Sequence, residues 1–317
     1  MNPDPAVLPA HRDTVAALLA RRSVRRYAPV PVAPATLAAI RAAVPGVRPL
    51  SADGAFACAV ESIPGSSRRL AAALGSYAAI ISARQYLAAR LSRPAGAPGW
   101  HPEFHPLLEF GFRVEQLVIR LTRLGLGSCW VGTLQHEDRA RALVGAGPAE
   151  RVPAVVMFGQ PARAAGARLV NRALRAVVGA PRRLAFDRFA FQDRYGTPLE
   201  PEPDVRFLLD CLRHAPSAGN ARPWRVILRD RELLLCVDES AGYYRLMKLA
   251  RWGYPWLDAG IGLAHLTIAL TALGRPADWQ GVADTPDLRA ALDLPASVKP
   301  IARLNLTAGS DTPARGN

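Results

Sequence analysis

The sequence predicts an α+β fold made of two tandem copies of one unit, paired within the chain as a pseudo-dimer around two long central helices. Three observations lead there. Apolar residues recur at helical spacing in some stretches and as short buried runs in others, and their order in the first part of the chain returns in the second. Sliding the chain along itself lays GFRVEQLVIRLTRLGLGSCWVG (111–132) on GIGLAHLTIALTALGRPADWQG (260–281), with nine of 22 positions identical and no gap. Leucine-rich composition would account for Leu117/Leu266 and Leu121/Leu270, but not for Gly125/Gly274, Trp130/Trp279 and Gly132/Gly281 in register. Nearer the start of each copy, RRYAPVPVAPATLAAI resembles DRYGTPLEPEPDVRFL, aligning Arg26 with Arg194 and Tyr27 with Tyr195. The copies are joined within residues 160–195, and the division is placed at 1–185 and 186–317. Each long helix is expected to bury itself against the other, as subunits of a two-fold dimer do.

The elements follow in order. Residues 1–10, with three prolines, read as a loose tail, as does GSDTPARGN from Gly309. RDTVAALLAR is a helix, and APATLAAIRAAV is a second one with a proline start. AFACAVES and YAAIISA read as buried strands. PLLEFGFRVEQLVIRLTRLGLG is a long helix stopped by glycine, with Leu107, Phe110, Val114, Leu117, Leu121 and Leu124 on one side. SCWVG is a strand, HEDRARALVG a helix and PAVVMFG a strand. In the second copy DVRFLLDCLRHA is a helix, and WRVILRD and ELLLCVD are strands joined at Arg229-Asp230-Arg231. WLDAGIGLAHLTIALTALG is the second long helix. ADWQGV is a strand, TPDLRAALD a helix with a threonine start, and KPIARLNLTA the last strand.

Half of the 317 residues are hydrophobic and 21% are charged, the balance of an ordered globular chain. The net charge is +14, yet only Lys248 and Lys299 are lysine, and arginines run from Arg12 to Arg315 without clustering around aromatics. No nucleic-acid reading motif is present, so nucleic acid is not the expected partner. An anionic small molecule suits this charge better. The four cysteines form no C-x-x-C pair and sit among apolar residues, as buried free thiols of a reducing compartment do. The start MNPDPAVLPAHRD lacks the layout of a signal peptide, and GIGLAHLTIALTALG is too short to span a bilayer. The expected location is the cytoplasm, with no membrane partner.

Four motifs carry a family resemblance: RRSVRRY (21–27), GLGSCWVG (125–132), APSAGNARPWRV (215–226) and DAGIGLAH (258–265). In this order they resemble the FMN-dependent nitroreductases, above all the branch called "Putative TM nitroreductase", here in a fused and internally duplicated form. The resemblance implies a nitroreductase-like fold. It also implies a flavin site shared between subunits, in which R-S-x-R of one holds the FMN phosphate and P-S-x-x-N of the other borders the ring. One complete pairing exists, Arg21, Arg22, Ser23 and Arg25 with Pro216, Ser217 and Asn220. Gly132 and Thr133 are implied as backbone neighbours of the ring, and Arg182 and Arg183 as a looser match to the family's basic residues beside the phosphate. The mirror-related pairing fails twice. FQDRYG would set Asp193 against a phosphate, and VPGVRPL offers neither Ser nor Asn. One FMN per chain is expected, in a monomer that acts as its own dimer.

The residue types suit this reading. Guanidinium forks match a phosphate through charge-assisted hydrogen bonds, and an asparagine can both give to and accept from a flavin's polar edge. Each motif also has a plainer reading: RRSVRR as a solvated basic helix end, APSAGN as a Ser- or Asx-type turn. Arg222 stands where the family has glutamine. Trp130 and Trp224 read as packing residues and His265 as a satisfied core histidine. WHPEFHP (100–106) reads as structure, or as a loop placing Trp100 or Phe104 near substrate. Pro102 and Pro106 spoil a helical ligand face for His101, Glu103 and His105, so no metal is expected. No nucleophile triad, convincing carboxylate pair or G-x-G-x-x-G is present. What the resemblance implies is hydride passing from NAD(P)H through FMN to a small acceptor, nitroaromatic or quinone-like, with no catalytic side chain. A non-catalytic flavin-storage protein, or a degenerate relative without flavin, remains the alternative.

Overall fold

The computed structural model describes residues 7–51, 56–62, 74, 81, 83–92, 99–163, 184–247 and 249–306. The expected strand YAAIISA, apart from Ile81 and Ala83, and the expected tail from Gly309 lie outside them. Among the described residues two five-stranded sheets form. The first holds β1 (Phe56–Ser62), β2 (Gln85–Ser92), β3 (Gly127–Gly132), β4 (Glu150–Arg151) and β5 (Ala154–Gly159). Its order is β1-β2-β5-β3, with β4 beside β2 and every pair antiparallel. The second holds β6 (Ala190–Gln192), β7 (Trp224–Arg229), β8 (Glu232–Asp238), β9 (Gln280–Gly281) and β10 (Val298–Asn305), in the order β6-β7-β8-β10-β9. The path β1-β2-β5-β3 thus recurs as β7-β8-β10-β9, and the second sheet adds β6, parallel to β7.

Three strands differ from expectation: β2, β6 and the two-residue β4. β2 is QYLAARLS, whose Ala-Ala-Arg centre offers no β-branched residue. It is a strand because β1 and β5 flank it and bury Leu87 and Leu91. β6 is only three residues long and pairs by tertiary contact.

The α-helices of the described residues are α1 (Arg12–Ala20), α2 (Pro34–Ala43), α3 (His105–Arg123), α4 (Glu137–Val144), α5 (Pro203–Leu212), α6 (Gly242–Met247), α7 (Tyr254–Ala272) and α8 (Pro286–Ala291). Thr285 caps α8 by accepting the Leu288 N–H at 3.2 Å. Residues 8–11 correct the expectation of a loose tail. Leu8 donates its N–H to the Ala272 carbonyl at 2.8 Å, filling a carbonyl that the end of α7 leaves unpaired, and Pro9–His11 forms a 3-10 turn.

The two long helices, α3 and α7, cross at the centre of the core. The expected one-sided apolar stripe on α3 is too narrow. His105, Glu109, Arg113 and Glu115 are buried as well: Glu115 faces His265 of α7, while His105 and Glu109 bond Leu50 and Ser51 and Arg113 pairs with Glu109. At the crossing Gly111 lies on the Leu257 carbonyl and Gly260 on the Leu108 carbonyl, so closely that a Cβ at either would overlap backbone. The register that aligns Gly111 with Gly260 also aligns Leu108 with Leu257, so it exchanges the two contacts. Such reciprocity is the mark of an isologous interface.

Candidate functional site

RRSVRRY follows the end of α1 and runs extended along the edge of the first sheet. Val24 donates its N–H to the Ser128 carbonyl at 2.8 Å, and Ser23 bridges Ser128 in parallel. The buried Tyr27 hydroxyl donates to the Val24 carbonyl at 2.5 Å. Extended backbone alternates its side chains. Arg21 and Arg25 are therefore buried, Ser23 is half-buried, and Arg22 is exposed and bonds the Ala20 carbonyl at 2.8 Å.

Arg21 crosses to the second part of the chain. Its guanidinium donates to the His214 carbonyl at 3.4 Å, just ahead of Pro216. Its Nε lies 3.8 Å from the Glu115 carboxylate and has no hydrogen-bond partner among the described residues. Glu115, on α3, also accepts from the Trp130 indole N–H at 2.8 Å and faces His265 Nε2, on α7, at 3.0 Å. His265 Nδ1 faces the Cys211 carbonyl at 3.0 Å and must carry a proton to bond it. Nε2 and the Glu115 carboxylate face each other within hydrogen-bonding distance, both fully buried. Arg21 lies beside this pair as a buried cation whose nearest carboxylate is 3.8 Å away. Burial draws its pKa below the ordinary value, against the pull of Glu115.

The loop 215–224 joins α5 to β7. Ala218–Asn220 is a 3-10 turn, and Gly219, Asn220 and Arg222 all adopt left-handed backbone, with φ of 55°, 57° and 51°. For arginine this is a strained conformation, and such strain persists only where the surroundings impose it. The Ser217 hydroxyl accepts the Arg222 N–H at 2.9 Å, which leaves its own proton to donate. That bond reaches five residues on rather than the two of a Ser-type turn, and the loop presents the half-buried Ser217 and Asn220 together. Beneath the loop, Asp258 of α7 accepts the Ala218 N–H at 2.7 Å and the Tyr244 hydroxyl, while its carbonyl takes the Trp224 indole N–H at 3.2 Å. Sequence reasoning finds Trp224 and His265 as core residues. It misses Asp258, Tyr244 and Glu115, for which the available signal is a carboxylate in each long apolar helix.

Gly132 and Thr133 make their contacts within the protein. Gly132 faces the Tyr254 ring, and the buried Thr133 hydroxyl donates to the Pro153 carbonyl at 2.9 Å. The Tyr254 hydroxyl donates to the same carbonyl at 2.9 Å and accepts the Leu134 N–H at 3.0 Å, and burial pushes its pKa up to about 12. Arg182 and Arg183 lie outside the described residues. In WHPEFHP, His101 stacks on Phe104, Phe104 on Trp256, and His105 on Trp100. Among the described residues no group of three or more His, Cys, Asp or Glu is placed to hold a metal ion, and no helix is long and apolar enough to cross a membrane. Three of the cysteines are buried and Cys58 is half-buried; burial pushes the Cys58 and Cys211 thiols up to about 12. At the mirror position, Asp193 is exposed and follows β6.

Three comparisons bear on this arrangement. A family model described as "Putative TM nitroreductase" matches residues 13–270. A protein of Archaeoglobus fulgidus named "Putative NADH dehydrogenase/NAD(P)H nitroreductase" is 26% identical over 117 residues, 31% of this chain and 67% of its own. The crystal structure of a Thermotoga maritima protein described as a putative nitroreductase matches with a TM-score of 0.53 at 19% identity, covering 93% of this chain and 94% of that one. At that identity the likeness is one of fold, α+β and nitroreductase-like.

Proposed function

This chain belongs to the "Putative TM nitroreductase" family, and from that premise we propose that it is an FMN-dependent oxidoreductase taking hydride from NAD(P)H to a small acceptor, nitroaromatic or quinone-like. The observation that carries the reading is the reach of Arg21 to the His214 carbonyl. It joins R-R-S-V-R to the segment that leads into P-S-A-G-N, far apart in sequence. The residues suit an anionic cofactor, because Arg21 is buried with its nearest carboxylate 3.8 Å away and its Nε without a hydrogen-bond partner among the described residues. FMN supplies the hydride chemistry when bound. The chain's own part is binding and orientation: Arg21 and Arg25 oppose the phosphate charge, Ser23 adds a donor, and Ser217 and Asn220 fix the polar edge of the ring. Pro216 shapes the turn. Arg22, Arg182 and Arg183 are candidates for the rim of the phosphate side, and Gly132 and Thr133 for the backbone beside the ring.

We infer further that residues 1–185 and 186–317 are two fused copies acting as one intramolecular dimer. The shared sheet path and the reciprocal glycine contacts support this reading. Purified protein should show flavin bands in the visible that NADH or NADPH bleaches. Bound flavin that neither donor reduces would favour storage, and a colourless protein that takes up no FMN would sink both readings. Arg25→Ala and Asn220→Ala should each weaken FMN binding about tenfold or more, followed by flavin fluorescence. If neither does, the site is elsewhere.

A further inference from the structure

The carboxylate beneath the Pro216–Asn220 loop has a counterpart in the first copy. In the register that aligns Gly111 with Gly260, Asp258 falls on Glu109, also fully buried on the matching long helix. Glu109 accepts the Leu50 N–H at 3.1 and 3.2 Å and the Ser51 N–H at 3.1 Å. The register that aligns Tyr27 with Tyr195 lays Leu50 on Ala218, whose N–H goes to Asp258 at 2.7 Å. Each long helix thus grips the same backbone N–H of its own copy's loop.

The two grips differ in their counter-charge. Glu109 is paired with the Arg113 guanidinium one helical turn on. The place of Arg113 is taken by Gly262, where a Cβ would run into the Trp224 indole. Asp258 therefore has the phenolic Tyr244 instead of a cation. A buried carboxylate without a cation carries a desolvation cost that Glu109 offsets and Asp258 does not. That cost falls on the copy whose loop keeps Ser217 and Asn220, and whose turn places Gly219, Asn220 and Arg222 in left-handed backbone.

We propose that Asp258, together with Tyr244, is the positioning residue of the flavin loop: by fixing the Ala218 N–H it holds Ser217 and Asn220 in the arrangement that binds the ring. The proposal rests on the flavin reading above, and its test separates the two. Amide hydrogen exchange on the ligand-free full chain reads the anchor itself. Asp258→Ala should raise exchange across residues 216–222, whereas Glu109→Ala should raise it near residues 48–51 and leave 216–222 protected. FMN titration then reads the consequence. Asp258→Ala should weaken binding about tenfold or more, the loss of a charge-assisted hydrogen bond. Asp258→Asn, which keeps an oxygen for the Ala218 N–H, should bind within about threefold of wild type, as should Glu109→Ala.

Should Asp258→Ala fail to fold, Tyr244→Phe keeps the ring and removes one donor, and is expected to move both readouts in the same direction. Unchanged exchange at 216–222 in a folded variant overturns the anchor. Faster exchange with unchanged FMN affinity overturns the positioning role. A wild type that binds no FMN, with exchange responding as expected, overturns the flavin reading and with it the role in binding, while the anchor stands as structure.

Discussion

At the scale of single residues, Asp258 makes the chain's stability depend on pH in an unusual direction. Burial raises its pKa from the ordinary 3.8 to about 7, against the hydrogen bonds from Tyr244 and the Ala218 N–H and with a further push from the Glu115 charge. The Tyr244 phenol beside it is itself raised well above its ordinary value by burial and by Asp258, so it stays protonated throughout. The folded protein therefore holds a proton on Asp258 that the unfolded chain has already released. From pH about 4 to about 7 the folded state binds more protons than the unfolded one, so stability falls as pH rises, by at most about 1.4 kcal/mol per pH unit. Above pH about 7 both states are deprotonated and the loss is constant. Glu109 is pushed the same way by burial, but Arg113 and the loop N–H groups oppose the push. Melting curves of wild type and Asp258→Asn should thus diverge as pH rises through this window, with the variant gaining relative stability. Parallel curves would mean that Asp258 is ionised in the fold at low pH.

At the scale of elements, the crossing of α3 and α7 depends on two glycines that have no room for a methyl group. Gly111→Ala and Gly260→Ala should each destabilise the protein by about 1–3 kcal/mol or more, the usual cost of overpacking. Because both act on one crossing, the double variant should lose less than the sum of the two. Thermal or urea unfolding checks both statements. This crossing is legible in the sequence, since Gly111/Gly260 stands in a matched stretch and two long apolar helices each need a partner to bury them. Less legible is what else the helices bury. Glu109, Glu115 and Asp258 read as polar interruptions of apolar helices, and apart from Arg113 beside Glu109 their partners follow no fixed spacing: Tyr244, His265 and the N–H groups of Leu50 and Ala218. The strand β2 is hidden for a related reason, since its alanines are held as strand by pairing with Cys58 and Ala59 of β1. For the candidate site, RRSVRRY and APSAGN are visible as motifs. That Arg21 and Arg25 point inward while Arg22 points out depends on the pairing of Ser23 and Val24 with Ser128, which periodicity cannot reveal.

At the scale of the whole molecule, the proposed fused dimer raises the question of how many cofactors it binds. In a two-fold dimer each site has an equivalent, yet the proposed copies have diverged where a second site would stand. In the register that pairs Tyr27 with Tyr195, Arg21–Arg25 falls on Phe189–Asp193. There Phe189 and Phe191 are buried in the core, Ala190–Gln192 is the strand β6 alongside β7, and Asp193 is exposed with φ of 62°. No guanidinium stands in that segment, and its carboxylate would repel a phosphate. The facing loop ends in Arg48, Pro49, Leu50 and Ser51, with Ser51 committed to His105 at 3.1 Å and to Glu109. The chemistry of the second site is thus missing from both of its sides. Titration of ligand-free protein should saturate at one FMN per 34.1 kDa chain, and the protein should elute at the mass of a single chain. Arg25→Ala should then weaken all of the binding rather than half of it, because no equivalent site remains to take up the cofactor. Two FMN per chain would mean that the second copy binds flavin through residues other than these.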